Sequence, residues 1–213
     1  MMTGFRQQKT ADPDRLPHMT THARDTAGRD TARAASARGA DGRIPAARYA
    51  VLPIAPAVLE QLRRRDDAGR PAEPYTDPEG DAPLRCCLRP SRAGERIALV
   101  SYAPLRRWAA ATGARPGAYE ELGPVFVHGE ECEGPAEGTG YPFARPGALR
   151  NLRYYDAAGR ICDGRLLELP EAADEAVGRA LGEAFADPGV ALVHVRAVEY
   201  GCFHYEVRRP AGR

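Results

Sequence analysis

"VALVHVRAVEYGCFHYEVRR", residues Val190–Arg209, is the stretch that decides the fold. Apolar and polar residues alternate on either side of a turn at Glu199–Gly201, the pattern of two antiparallel strands joined as a hairpin. "LRNLRYYDAAGRICDGRLLEL" (Leu149–Leu169) repeats it around Ala157–Gly159. "LRCCLR", "PSRAGE" and "RIALVSYA" together read as a third hairpin, with Gly94 supplying the turn. "RYAVLPI" (Arg48–Ile54) and "GPVFVHG" (Gly123–Gly129) are further strand signals, and residues 66–82 read as a loop. Helical spacing occurs in three places. Val58, Leu59 and Leu62 share a stripe after Pro56, "LRRWAAATGA" runs to Gly113, and Ala176, Val177, Ala180, Leu181 and Ala184 mark Glu171–Phe185. Hairpins outnumber crossovers. The expectation is an α+β fold, a mainly antiparallel β-sheet with two or three helices.

Residues 1–43 carry almost no large apolar side chains and cannot bury enough surface to offset the entropy of ordering them. A disordered N-terminal tail over 1–43, one α+β domain over 44–209 and a C-terminal tail over 210–213 follow. Met19 is an alternative start within that tail. The net charge of +1 offers no long-range field for nucleic acid or anionic lipid, and Lys9 is the only lysine beside abundant arginine, a bias of GC-rich coding. No apolar run reaches the roughly 20 residues of a membrane helix, and no secretory h-region opens the chain. The cytoplasm follows by elimination, and reduced thiols suit it, since the five cysteines, Cys86, Cys87, Cys132, Cys162 and Cys202, form an odd set.

Within "PLRCCLR" (Pro83–Arg89), read as one strand, Leu84, Cys86 and Leu88 share a face, while Arg85, Cys87 and Arg89 share the other. The same rule sets His194 and Arg196 opposite Val193 and Val195. It also sets Cys202, His204 and Glu206 opposite Phe203, Tyr205 and Val207, and His128 opposite Val125 and Val127. If these polar faces belong to one surface, Arg85, Cys87, His128, His194, Arg196 and Cys202 converge. Cys86, between two leucines, reads as core packing. Cys87 lies two residues from an arginine on either side, and positive charge favours thiolate.

Two functional readings follow, beside a blander one in which these groups merely pair internally or serve a structural or partner-binding domain. In the first, Arg85, Arg89, Arg196 and Cys202 bind a small anionic molecule. In the second, Cys87 is a catalytic nucleophile with His128 or His194 as base. Glu95, Glu206 and Asp156 are available counter-charges. No C-x-x-C pair and no helical His-x-x-x-His occurs, so no metal is assigned; Cys87, His128, His194 and Cys202 would meet only through tertiary contact. No phosphate loop, dinucleotide fingerprint or nucleophile elbow occurs, and neither cofactor nor oligomeric state is assigned.

Taken in order, "PLRCCLR", Gly94–Glu95, "SYAP", "GPVFVH", Tyr141–Pro142, "VHVR" and "GCFHYEV" resemble a bacterial family catalogued as domain of unknown function family 1203, over roughly residues 48–209. The resemblance implies no activity, cofactor or catalytic residue. The chain departs from the family pattern in its N-terminal tail and in extra length around Trp108 and "ATGARPGA".

Overall fold

The computed structural model describes residues 49–136 and 140–209. The tails expected at 1–43 and 210–213 lie outside the described residues. Ten strands and three α-helices run in the order β1 (Ala50–Leu52), α1 (Pro56–Arg64), β2 (Tyr75–Thr76), β3 (Pro83–Leu84), β4 (Arg89–Pro90), β5 (Arg96–Tyr102) and α2 (Pro104–Thr112). There follow β6 (Gly123–His128), β7 (Leu149–Tyr155), β8 (Ile161–Glu168), α3 (Ala173–Ala184), β9 (Leu192–Ala197) and β10 (Phe203–Arg208). They form two five-stranded sheets, one ordered β1-β10-β9-β7-β8 and the other β2-β5-β6-β3-β4. Every pairing is antiparallel except β3 with β6. The fold class is α+β, as the hairpin pattern requires.

Local chemistry explains the elements. Proline occupies the first turn of α1 and α2, where its missing N–H costs nothing. Gly113, at φ +78°, ends α2 in the left-handed conformation that a Cβ would strain. Asp156 closes the β7–β8 turn by accepting from the amides of Ala158 and Arg160, each at 2.9 Å. The apolar face of α3 (Ala173, Val177, Ala180, Leu181, Ala184) packs on Leu152, Val193, Val195, Tyr205 and Val207 of the first sheet. Leu59 and Leu62 of α1 close a second core on Ile97, Val100, Val125 and Val127.

Three strand readings are corrected. Residues 83–89 are not one strand but a tight β3–β4 hairpin, reversed through residues 85–88 with Leu88 at φ +55°. β4 does not pair with β5; Glu95 closes the intervening turn with its carboxylate on the Arg92 amide, and β5 enters the sheet between β2 and β6. In β10 a bulge between Phe203 and Tyr205 sets Phe203 opposite Arg196 but Tyr205 opposite Val195. The bulge breaks the period of two. Phe203 therefore leaves the Tyr205–Val207 face and joins the second core beside Leu84 and Cys86. His204 turns to pack against Phe143, ring centroids 4.8 Å apart and tilted by 50°.

That bulge is also where the sheets are tied. The buried Arg85 guanidinium reaches from the β3–β4 turn to the Phe203 carbonyl, Nε to O 2.8 Å, and to the Pro83 carbonyl. Burial pulls Arg85 down to about 10, still charged at neutral pH. Replacing it by methionine removes the donor from the buried Phe203 carbonyl and the part-buried Pro83 carbonyl, at about 1–3 kcal/mol for an orphaned buried group. Urea unfolding of Arg85→Met is expected to lose about 2 kcal/mol or more; an unchanged midpoint would show that the tie is idle. His204 supplies a pH signature. Burial, and then the charges of Arg85, Arg150, Arg145 and Arg196, hold it down to about 2, against about 6.5 in an unfolded chain. The unfolded state thus binds the extra proton below pH 6.5. Stability is full above that pH and falls by about 1.4 kcal/mol per unit as pH drops below it. His204→Gln should flatten this acid limb by about one proton, measured as urea midpoint against pH.

Candidate functional site

The β3–β4 reversal places two adjacent thiols on one side of the backbone, which a strand cannot do. It is held from both flanks: the Ile54 amide donates to the Arg85 carbonyl at 3.0 Å, and the Arg85 amide donates to Phe126 of β6 at 2.9 Å. β6 delivers His128 to the same spot. Gly129 then turns the chain away; a Cβ there would come within 2.9 Å of Pro74 Cβ. Three residues further on, Cys132 returns to the group.

Four ligand-type atoms, from Cys86, Cys87, His128 and Cys132, lie within 4.8 Å of one another. Cys86 Sγ is 3.3 Å and Cys87 Sγ 3.8 Å from His128 Nδ1, and the two sulfurs are 4.0 Å apart. Cys86 and Cys87 are buried, at 2% and 5% exposure, whereas Cys132 is half-exposed. Each sulfur receives a backbone N–H: Cys86 from His128 at 3.2 Å, Cys87 from Arg89 and Cys132 from Gly134.

The electrostatics divide the thiols. Cys86 is driven up by the hydrogen bond it donates to Cys87, and by burial. The same bond lowers Cys87; burial opposes, while the Arg89 amide and charge help. Burial raises Cys132. On the far side of the imidazole, Nε2 lies 3.3 Å from Arg89 Nη2 and 3.5 Å from Glu95 Oε2. Arg89 and Glu95 form a two-pronged ion pair at 2.7 and 3.0 Å, and these hydrogen bonds hold Glu95 down to about 2. Burial, with Arg89, lowers His128 and favours its neutral form. Arg63 of α1 donates from Nε to the His128 carbonyl at 3.0 Å, while its buried Nη2 has no hydrogen-bond partner among the described residues. A cavity of about 610 Å³ opens beside Cys86 and Cys132, walled by Ile54, Pro56, Leu59 and Arg63.

The six residues expected on one surface are divided. Cys87 and His128 meet, with Arg89 behind them. His194 is fully buried elsewhere, its Nε2 3.2 Å from Glu206 Oε2 and its ring between Tyr155 and Phe203. Burial lowers its affinity for a proton against the pull of Glu206. Arg196 holds Glu121 at 2.7 Å and the Gly201 carbonyl at 2.7 Å. Arg85 is spent on carbonyls, and the Cys202 thiol donates to the Tyr200 carbonyl at 3.6 Å. Two members of the cluster were not grouped with Cys87 and His128: Cys86, read as packing and in fact buried in the second core, and Cys132, given no role. The signal for both was the spacing C-C…H-x-x-x-C, whose second half is a familiar ligand interval.

Among the described residues no helix is long and apolar enough to cross a membrane. No curated protein and no solved structure gives a significant match to the chain. The family described as "Protein of unknown function (DUF1203)" matches residues 81–209, more than half of the chain and all four of the clustered thiol and imidazole residues. The chain belongs to that family.

Proposed function

We propose that this protein is a metal-binding domain in which Cys86, Cys87, His128 and Cys132 hold a thiophilic divalent ion, zinc by the chemistry of the set. One observation carries the reading, the spacing of the donor atoms. A tetrahedral ion with bonds of about 2.3 Å to sulfur and about 2.0 Å to nitrogen keeps neighbouring ligands about 3.5–3.8 Å apart. The separations of 3.3, 3.8 and 4.0 Å among Cys86, Cys87 and His128 bracket that edge, and Cys132 lies within 4.8 Å of each. Three thiolates and one imidazole favour zinc over hard cations.

The surroundings support it. Backbone N–H groups on all three sulfurs stabilise thiolate over thiol. Glu95 lies 3.5 Å from Nε2, on the side where a metal-ligating imidazole commonly meets a carboxylate, and Nδ1 faces the sulfurs. Three thiolates around a dication leave one negative charge, and Arg63 and Arg89 stand beside it. A reducing compartment such as the cytoplasm keeps the sulfurs available.

The other readings rest on less. A small anionic ligand would need Arg85, Arg89 and Arg196, whose guanidinium groups already hold carbonyls and carboxylates. A Cys87 nucleophile with His128 as base has its 3.8 Å contact, but the sulfur is buried where an electrophile must enter.

Metal analysis of the purified protein is expected to find about one zinc per chain, and Cys87→Ser or His128→Ala to lose it. Because the ion binds only the folded state, a thousandfold excess over its Kd contributes about 4 kcal/mol. Chelation should therefore lower Tm by on the order of 10 °C. A chain that carries no metal, takes up none on reconstitution and melts identically with chelator would overturn the proposal. Rapid alkylation of Cys87 in that metal-free chain would then favour the nucleophile.

A further inference from the structure

We propose that Cys132 is a displaceable ligand, and that the adjoining cavity admits a small neutral thiol to the metal in its place. This deepens the metal reading and rests on it. The four donors are not held alike. Cys86 and Cys87 sit on a reversal bonded to Ile54 on one side and β6 on the other, and His128 lies in the β5–β6 ladder. Cys132 stands on residues 130–136, which form neither strand nor helix, and it is the half-exposed member. A rigid Cys₂His set with a fourth position open to exchange is the division found where zinc is reactive; buried four-ligand cages serve structure.

The cavity of about 610 Å³ touches the site at the Cys86 and Cys132 edge, so an entering molecule meets the metal on the side of its loosest ligand. The volume is that of a small-molecule site. Its far wall, Pro53, Ile54, Pro56, Ala57 and Leu59, suits an alkyl body. The exposed Glu131 and Glu133 flank the near wall and disfavour a second anion. Arg63, with its spare Nη2, offsets the sulfur charge whichever thiolate is bound. In the exchange, the metal–sulfur bond to Cys132 breaks as the bond to the incoming sulfur forms. The proton of the incoming thiol passes to Cys132, so charge is conserved and nothing is oxidised.

The test uses the full chain loaded with cobalt(II), whose thiolate charge-transfer band counts bound sulfurs. Cys132→Ser should keep about one cobalt with a weaker band, and 2-mercaptoethanol should restore the band toward wild type, while Cys87→Ser holds no cobalt. Loss of cobalt from Cys132→Ser, or a band that 2-mercaptoethanol leaves unchanged, would overturn the inference. A second measurement needs no variant. Iodoacetamide on the metal-loaded wild type should modify Cys132 ahead of Cys86 and Cys87 with the metal retained. Equal protection of all three, or metal lost with the first alkylation, would overturn it. A wild type that binds no cobalt would instead overturn the metal reading itself.

Discussion

The reversal at residues 85–88 is the constraint on which the rest depends. In an extended strand, adjacent side chains point to opposite faces, so two neighbouring cysteines could not approach one imidazole. The chain escapes this by turning within four residues, with Leu88 in the left-handed region at φ +55°. That conformation costs a branched side chain of order 1–3 kcal/mol and persists only where surrounding structure fixes it. Here the fixing is visible in the Ile54 and Phe126 backbone bonds, the Arg85 tie to Phe203 and the buried Leu84.

Charge is the second constraint. The site gathers sulfurs that carry little charge as thiols and much as thiolates, and it lies in a partly desolvated corner. Arg89 and Arg63 are placed to compensate, and of their buried polar atoms Arg63 Nη2 alone has no hydrogen-bond partner among the described residues. Arg89 is committed to Glu95, and Arg63 to the His128 carbonyl. The same holds for Arg196 on Glu121. An arginine-rich chain with net charge near zero behaves this way: its cations are consumed by its own carboxylates and carbonyls.

The fold was readable where a local rule decides the outcome. The proline-started helices, the Asp156 turn and the alternation of "GPVFVH" needed only neighbouring residues, and His128 faces as that alternation requires. The reading failed where a single residue breaks the period. Nothing in "LRCCLR" announces that Leu88 adopts positive φ, and nothing in "GCFHYEV" announces the bulge after Phe203. Each slip moves a side chain to the opposite face, and His194 and Arg196 miss Cys87 and His128 because β9 lies in the first sheet and β6 in the second. Of the candidate site, Cys87, His128 and Arg89 were legible from charge and spacing. Cys132 was hidden because its segment has no periodicity, though its interval from His128 was in plain view. The link between Cys86 and His128 spans 42 residues and is set by the parallel β3–β6 pairing, which no local pattern encodes.

That pairing is itself thin. β3 and β4 have two residues each, and β3 meets β6 through the single pair Leu84 with Phe126. Strands so short contribute little ladder energy, and β4 is the sheet edge. On the metal reading, an ion joining Cys86 and Cys87 to His128 crosslinks this edge hairpin to the central strand, supplying cohesion that hydrogen bonding there cannot. The site and the corner of the fold that builds it are then mutually dependent: the turn aligns the sulfurs, and the ion holds the turn. Metal removal should loosen the second sheet before the first, because the β7–β8 and β9–β10 hairpins, with six to eight residues per strand, have long ladders of their own.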